Sequence, residues 1–243
     1  MKNIVTLGII LLGIAICAIM TDAKKESVCE ISFYYGDVGL RSKGEDKWED
    51  VDLDQPVYEG DAVKTMEDSR AELTLIEGSA IRIDENSTFN ITTLASEEEK
   101  IETKTELVMG RIWSNVKKLA TGSKLEMGSP VAVAAVRGTV YRMDVAQDKS
   151  TDLKVYEGEV AVSNVPIEKG EIKKPGVERP TEVAGPREVE GPKEVSMEEW
   201  IVIVRAQMEI HIAPDGKYRM RKFDLVEDAK DEWVAWNKER DKK

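Results

Sequence analysis

The stretch Ser129-Pro-Val-Ala-Val-Ala-Ala-Val-Arg-Gly-Thr-Val-Tyr-Arg-Met-Asp-Val145, followed after a polar gap by Leu153-Lys-Val-Tyr-Glu-Gly-Glu-Val-Ala-Val162, decides the fold. Val131 to Val136 is a nearly continuous apolar run, the pattern of a strand buried on both faces. Val140 to Val145 is rich in β-branched and aromatic residues and reads as a second strand. Gln147 to Asp152 reads as a polar turn, and Leu153 to Val162 alternates apolar and polar residues around Glu157-Gly158. Arg137 interrupts the apolar run just before Gly138. A charge buried there needs partners. One reading is a guanidinium satisfied by carbonyls at a strand corner, with Glu157 or Glu159 nearby. The other is a buried cation that meets a ligand or a partner's carboxylate. On the first reading, Arg137→Met lowers stability.

Working outward, the chain before this stretch is a succession of short strands. Ala71, Leu73 and Leu75 alternate with Glu72 and Thr74; Ile81 and Ile83 with Arg82 and Asp84; Phe89 and Ile91 with Asn90 and Thr92. A period of two puts one face inward and the other outward. Tyr58-Glu59-Gly60, Ile76-Glu77-Gly78 and Tyr156-Glu157-Gly158 form a weak repeat, with Val108-Met109-Gly110 a looser copy. Each glycine reads as a corner with positive φ or a bulge. Repeated corners suit a mainly β fold, a curled sandwich or a short solenoid-like stack.

The ordered words resemble a known family. Ala135-Val-Arg-Gly-Thr-Val-Tyr141 and Val155-Tyr-Glu-Gly-Glu-Val160 look like the core of the FecR-like domain family, named for the periplasmic part of an iron-citrate sensor–regulator. Gly36-Asp37-Val38 before Trp48, Glu59-Gly60-Asp61 leading into Ser69 to Leu75, and Gly110-Arg111-Ile112 follow in matching order. The resemblance covers Tyr35 to Asn164 and implies an extracytoplasmic all-β module, with Arg137, Gly138, Thr139, Glu157 and Gly158 as its structural motif. It names no ligand or reaction. In the iron-citrate regulator a cytoplasmic region before the membrane span controls a sigma factor. Only Met1 to Asn3 precede the apolar run here, so that role is not expected to transfer.

The 243 residues carry a formal charge of −12. That balance argues against nucleic acid and against an anionic membrane surface as partners. Met1 to Ala23 has a short positive start, an apolar run and a small-residue end, the pattern of a signal peptide or an N-terminal membrane anchor. Membrane association is expected only through that segment if it is not cleaved. Cys17 lies within it, which leaves Cys29 alone in the mature chain, expected as a reduced thiol near a strand start. Domain organisation follows as a β domain over 27–164, a Pro-rich linker over 165–195, and a C-terminal β-hairpin with one amphipathic helix over 196–243. The linker holds Pro166, Pro175, Pro180, Pro186 and Pro192. In the last segment Val202, Val204, Ala206, Met208, Ile210 and Ile212 share one face, Pro214 to Lys217 turns the chain, and Asp224 caps a helix with Glu227 completing the box. Val226, Ala229, Trp233 and Trp236 line one side of that helix, expected to cover the hairpin or the β domain.

Familiar chemistry has few candidates. His211 is the only histidine and falls on a polar face. Zinc sites, serine or cysteine triads and phosphate loops therefore lack their residues, and neither enzyme activity nor a cofactor is expected. Glu97 to Glu99 read as a solvated turn; Asp50, Asp52 and Asp54 would share one side of a strand as a weak calcium candidate. The expectation is an exported, non-catalytic interaction or sensory module of the cell envelope, in the periplasm or at the cell surface, with an envelope protein as partner. The alternative is a structural protein held by polysaccharide or peptidoglycan. Trp48, Trp113, Trp233 and Trp236 are the candidate partner-binding residues.

Overall fold

The computed structural model describes residues 27, 29–75, 77–97, 100–118, 123–164 and 200–242. The segment 1–23, the linker 165–195 and two of the glutamates of the 97–99 turn lie outside them. In chain order the strands are β1 (Cys29–Tyr35), β2 (Val38–Arg41), β3 (Glu49–Asp50), β4 (Pro56–Val57), β5 (Ala62–Thr65), β6 (Arg70–Leu75), β7 (Ala80–Ile83), β8 (Thr88–Glu97) and β9 (Lys100–Asn115). They continue as β10 (Lys124–Gly128), β11 (Val133–Val136), β12 (Val140–Val145), β13 (Thr151–Glu157), β14 (Glu159–Ser163), β15 (Ile201–Arg205), β16 (Met208–Ile212) and β17 (Tyr218–Lys222). Two helices follow, α1 (Leu225–Asp228) and α2 (Glu232–Arg240).

The strands form two facing sheets. Sheet A runs β4-β1-β6-β7-β9-β12-β13-β16-β17 and is antiparallel throughout. Sheet B runs β3-β2-β5-β8-β9-β10-β11-β14-β15, with β9 and β10 its one parallel pair among the described strands. β9 belongs to both. Its first part pairs with β8 and β10 in sheet B, and from Gly110 onward it pairs with β7 and β12 in sheet A. Gly110 has φ +102°, and its missing Cβ leaves room for the Ser87 backbone at the bend.

The chain crosses from one sheet to the other again and again at such corners. Positive φ values fall at Gly36 between β1 and β2, Asp68 between β5 and β6, Asn86 between β7 and β8, Gly138 between β11 and β12, Gly158 between β13 and β14, and Gln207 between β15 and β16. This is the curled, stacked sandwich expected from the sequence. The weak repeat does not mark equivalent places, however. Gly158 is such a corner, whereas Gly78 turns the β6–β7 hairpin within sheet A.

The core fills the space between the sheets. Leu73, Ile81, Ile83, Ile112, Met143, Leu153 and Ile210 from sheet A meet Val63, Phe89, Leu107, Leu125, Val136, Val160 and Val204 from sheet B, all buried. Burying each aliphatic side chain of this size stabilises by about 1.5–3 kcal/mol relative to exposure. β11 is shorter than its apolar run. Ala134 and Val136 are buried, while Val133 and Ala135 are only half-buried on the outer face, so the run fills both parities without being covered on both sides. Cys29 is buried at the start of β1, and burial first, then the charges of Asp61, Glu77 and Glu30, push its thiol up to about 12.

The C-terminal segment extends the same sandwich. β15 pairs with β14 in sheet B and β16 pairs with β13 in sheet A, so the expected long strand is broken at its middle by the corner at Gln207. Inward parity survives the break: Val204, Ile210 and Ile212 are all buried. The expected single helix is two. Asp224 caps α1 by accepting from the N–H groups of Val226 and Glu227, and Asp231 caps α2 by accepting from Trp233. A second capping aspartate interrupts the run, and Val226, 77% exposed, takes no part in the packed side.

Candidate interaction site

Outward side chains of sheet A line up in one row across eight strands. Register sets Phe33 opposite Glu72, Glu72 opposite Arg82, Arg82 opposite Trp113, Trp113 opposite Arg142, Arg142 opposite Lys154, Lys154 opposite Glu209, and Glu209 opposite Arg221. Directly opposed residues of an antiparallel pair are close enough to interact, and opposite charges there are favourable. The row therefore mixes cations, carboxylates and rings, with Arg142 beside Lys154 its one like-charged neighbouring pair, and is not a plain solvated face.

Residues 224–242 lie along this row as a strap. Near the β13 end, Asp228 accepts from Lys154 Nζ at 2.6 Å and from the Tyr156 hydroxyl at 2.6 Å, with Arg142 3.5 Å away. Asp231 accepts from Arg111 Nη1 at 2.7 Å. At the other end, Asp241 takes Arg82 Nη1 at 2.7 Å and the Trp113 indole N–H at 2.8 Å on its two oxygens. Arg240 reaches both oxygens of Glu72 at 3.1 Å, and Arg82 Nε donates to Glu72 at 2.5 Å. Between these ends the rings pack. Trp233 stacks on Trp236 at 5.2 Å, Trp113 lies against Tyr156 at 4.4 Å, and the Arg70 guanidinium sits 5.1 Å from both Trp233 and Trp236.

Charge states follow from the same geometry. Burial raises the Glu72 carboxyl, but the hydrogen bonds and charges of Arg240 and Arg82 outweigh it and hold the group below the usual carboxylate range. Asp228 is lowered in the same way: burial raises it, and Lys154, Tyr156 and Arg142 prevail. Asp84 is the opposite case. Burial dominates the pull of Arg111 and Arg70, and its carboxyl is raised. Asp144 is also raised, by burial against Arg142 and Arg111.

Three of the four candidate tryptophans belong to this interface. Trp113 and Trp233 are each 1% exposed and Trp236 is half-buried, so they hold the strap on its own sheet and are not exposed anchors. That outcome matches the expectation that the helical side covers the β domain. Trp48 stands apart and half-buried, beside an open groove of about 170 Å³ with Asp37, Glu49, Asp50, Lys64 and Met66. Arg41 and Lys64 place cations 4.9 and 5.9 Å from its ring. Asp50, Asp52 and Asp54 do not share a strand side, because β3 ends at Asp50 and Asp54 has φ +59°. Among the described residues no cluster of three or more His, Cys, Asp or Glu side chains is placed to hold a metal ion.

The sequence motif proves to be a corner lock. Gly138 and Gly158 have φ +62° and +78°, and a Cβ on Gly158 would stand 2.7 Å from the Gly138 carbonyl and 2.8 Å from the Thr139 methyl. Two adjacent corners of the stack thus nest through backbone contact, with Thr139 buried beneath them. Arg137, Glu157 and Glu159 are exposed on the outside of these corners. Burial of the guanidinium is therefore corrected: the turn at Gly138 carries Arg137 out of the apolar run to the exposed side of the corner. What sequence reasoning missed is the charged row. Its signal was present, since Glu72, Arg82, Arg142, Lys154 and Glu209 all sit at outward parity, beside Trp113 and Tyr156 at the same parity.

Fold and site together define a mainly β sandwich whose outer face is covered by the chain's own C-terminal helical segment. Residues 61–161 match the family model described as FecR protein. The matched span contains both nested corners and most of the row. No curated protein matches the chain in sequence. Two crystal structures of a candidate anti-sigma factor from Parabacteroides distasonis ATCC 8503 align with TM-scores of 0.46 at 13% identity, covering 67% of this chain. The chain spans 60% of the length of that protein.

Proposed function

We propose that the protein is an exported, non-catalytic FecR-domain module that binds another protein in the cell envelope in a regulatory or sensory role. The FecR match over 61–161 carries this reading. The face of sheet A supports it. Its row of charges and rings already binds one polypeptide segment, the strap, through paired hydrogen bonds to Glu72, Asp228 and Asp241. That chemistry suits protein recognition better than sugar stacking, which needs free aromatic faces. Among the described residues no helix is long and apolar enough to cross a membrane. The test is cross-linking of the tagged protein in intact cells, followed by fractionation of the envelope and capture. One protein in stoichiometric amount is the expected result. Recovery with peptidoglycan and no stoichiometric protein would overturn it.

A second reading rests on the Trp48 groove, where an aromatic ring sits among carboxylates and a lysine, a mixture found in carbohydrate sites. Trp48→Ala would then abolish retention on insoluble peptidoglycan and leave protein capture unchanged.

A further inference from the structure

Sheet A ends at β17 in an edge that is exposed and positively charged. All five residues from Tyr218 to Lys222 are exposed. Ala213 N–H donates to the Lys217 carbonyl and Phe223 N–H donates to the Gln207 carbonyl, and the register between them sets His211 opposite Arg219 and Glu209 opposite Arg221. Because hydrogen-bonded and non-bonded pairs alternate along an antiparallel ladder, Arg219 and Arg221 spend their backbone groups on β16. Tyr218, Met220 and Lys222 then direct their N–H and C=O groups away from the sheet, spaced to receive a further strand.

The side chains at this edge select what is received. Arg219 and Arg221 continue the outer face of the row, next to Lys217 at the turn; Arg221 donates to Glu209 yet keeps most of its side chain exposed, and Lys217 pairs with Asp215. Tyr218 and Met220 lie at the other parity, 40% and 41% exposed. Charged side chains alone serve to guard an edge against unwanted pairing. Here they stand beside two exposed apolar side chains and an unbroken set of outward amides, in a strand that contains no proline or bulge. A second copy of this chain fits poorly, since pairing edge to edge would set arginines against arginines, and like charges directly opposed are destabilising.

We propose that β17 is a docking edge that takes up one extended segment of a partner protein by strand addition, and that this segment alternates carboxylate with apolar side chains. Its carboxylates meet Arg219 and Arg221, and its apolar residues meet Tyr218 and Met220. Main-chain hydrogen bonds hold the segment, and the alternating side chains give the selectivity. The proposal rests on the interaction-module reading above and names the chemistry of its partner.

The test uses the full chain and a labelled, end-capped peptide that alternates Glu and Val, beside a peptide with Lys in place of Glu. Saturable binding of the Glu peptide alone, weakened by added salt, is expected. Hydrogen exchange at the Tyr218, Met220 and Lys222 amides should slow on binding, while exchange at Arg219 and Arg221 is slow already. Met220→Pro removes one outward N–H at a position where an edge strand tolerates proline, and should abolish binding. Arg219→Glu should weaken it about tenfold. Equal binding of the Lys peptide, unchanged exchange at the three outward amides, or self-association through β17 would each overturn the proposal. If Met220→Pro still captures the envelope partner at wild-type yield, the docking edge is wrong and the interaction reading stands. If the wild-type chain captures none, that reading itself fails.

Discussion

At Gly158 the fold depends on a single missing side chain. A Cβ there would press on the Gly138 carbonyl at 2.7 Å, and the backbone at φ +78° disfavours any L side chain. Gly158→Ala is expected to destabilise by more than about 1–2 kcal/mol, the usual cost of the left-handed conformation alone. Thermal unfolding followed by circular dichroism would read this as a lowered Tm, whereas Gly78→Ala, whose Cβ meets nothing within 4 Å, should cost only the backbone term. Both glycines sit in similar Glu-Gly words, and the sequence gives no hint that one is locked and the other open. Close approach depends on which corners stack, and that is a property of the assembled sheets. The same limit explains Arg137. Its neighbours in sequence are apolar, but the turn that follows decides where its guanidinium points.

Strands were legible as elements because alternation reports the inward face directly. The strap site was not, because an outward charge looks the same in sequence whether it meets water or a helix. Glu72 and Arg82 show the difference. Arg82 is held by Glu72 and Asp241 with its side chain only 6% exposed. Arg82→Met leaves buried Glu72 with Arg240 alone and half-buried Asp241 with the Trp113 indole alone, and should cost at most about 3 kcal/mol, read by urea unfolding. Acid should loosen the strap as well. Glu72 and Asp228 have lowered pKa values, so the stability they add is present above the ordinary carboxylate range near 4 and is lost as pH falls through their depressed values. Asp84 and Asp144 are raised and act in the opposite sense, gaining stability when protonated, which should shift the onset toward lower pH. Fluorescence of the stacked Trp233 and Trp236 should report release below about pH 4, and Asp228→Asn should remove part of that transition.

For the molecule as a whole, the matched FecR span ends at residue 161, yet the sandwich does not end there. β13 and β14 each gain a neighbour from the C-terminal segment, so a chain stopped after Asn164 would expose both as open edges and lose the strap. Such a truncation is expected to aggregate or to unfold at markedly lower urea. In the full chain, far-ultraviolet dichroism and tryptophan fluorescence should unfold together in one transition. A transition in the fluorescence alone would show that the strap detaches first. The two sides of the long segment between β14 and β15 are also held together, since Ser163 pairs with Ile201 and the Asn164 side chain accepts from the Trp200 N–H at 3.0 Å. Loop closure depends only weakly on length, about 0.6 kcal/mol per doubling. A protease that cuts between these points would therefore nick the protein without dividing it: two polypeptides would show on a denaturing gel, and one particle would elute from a native column.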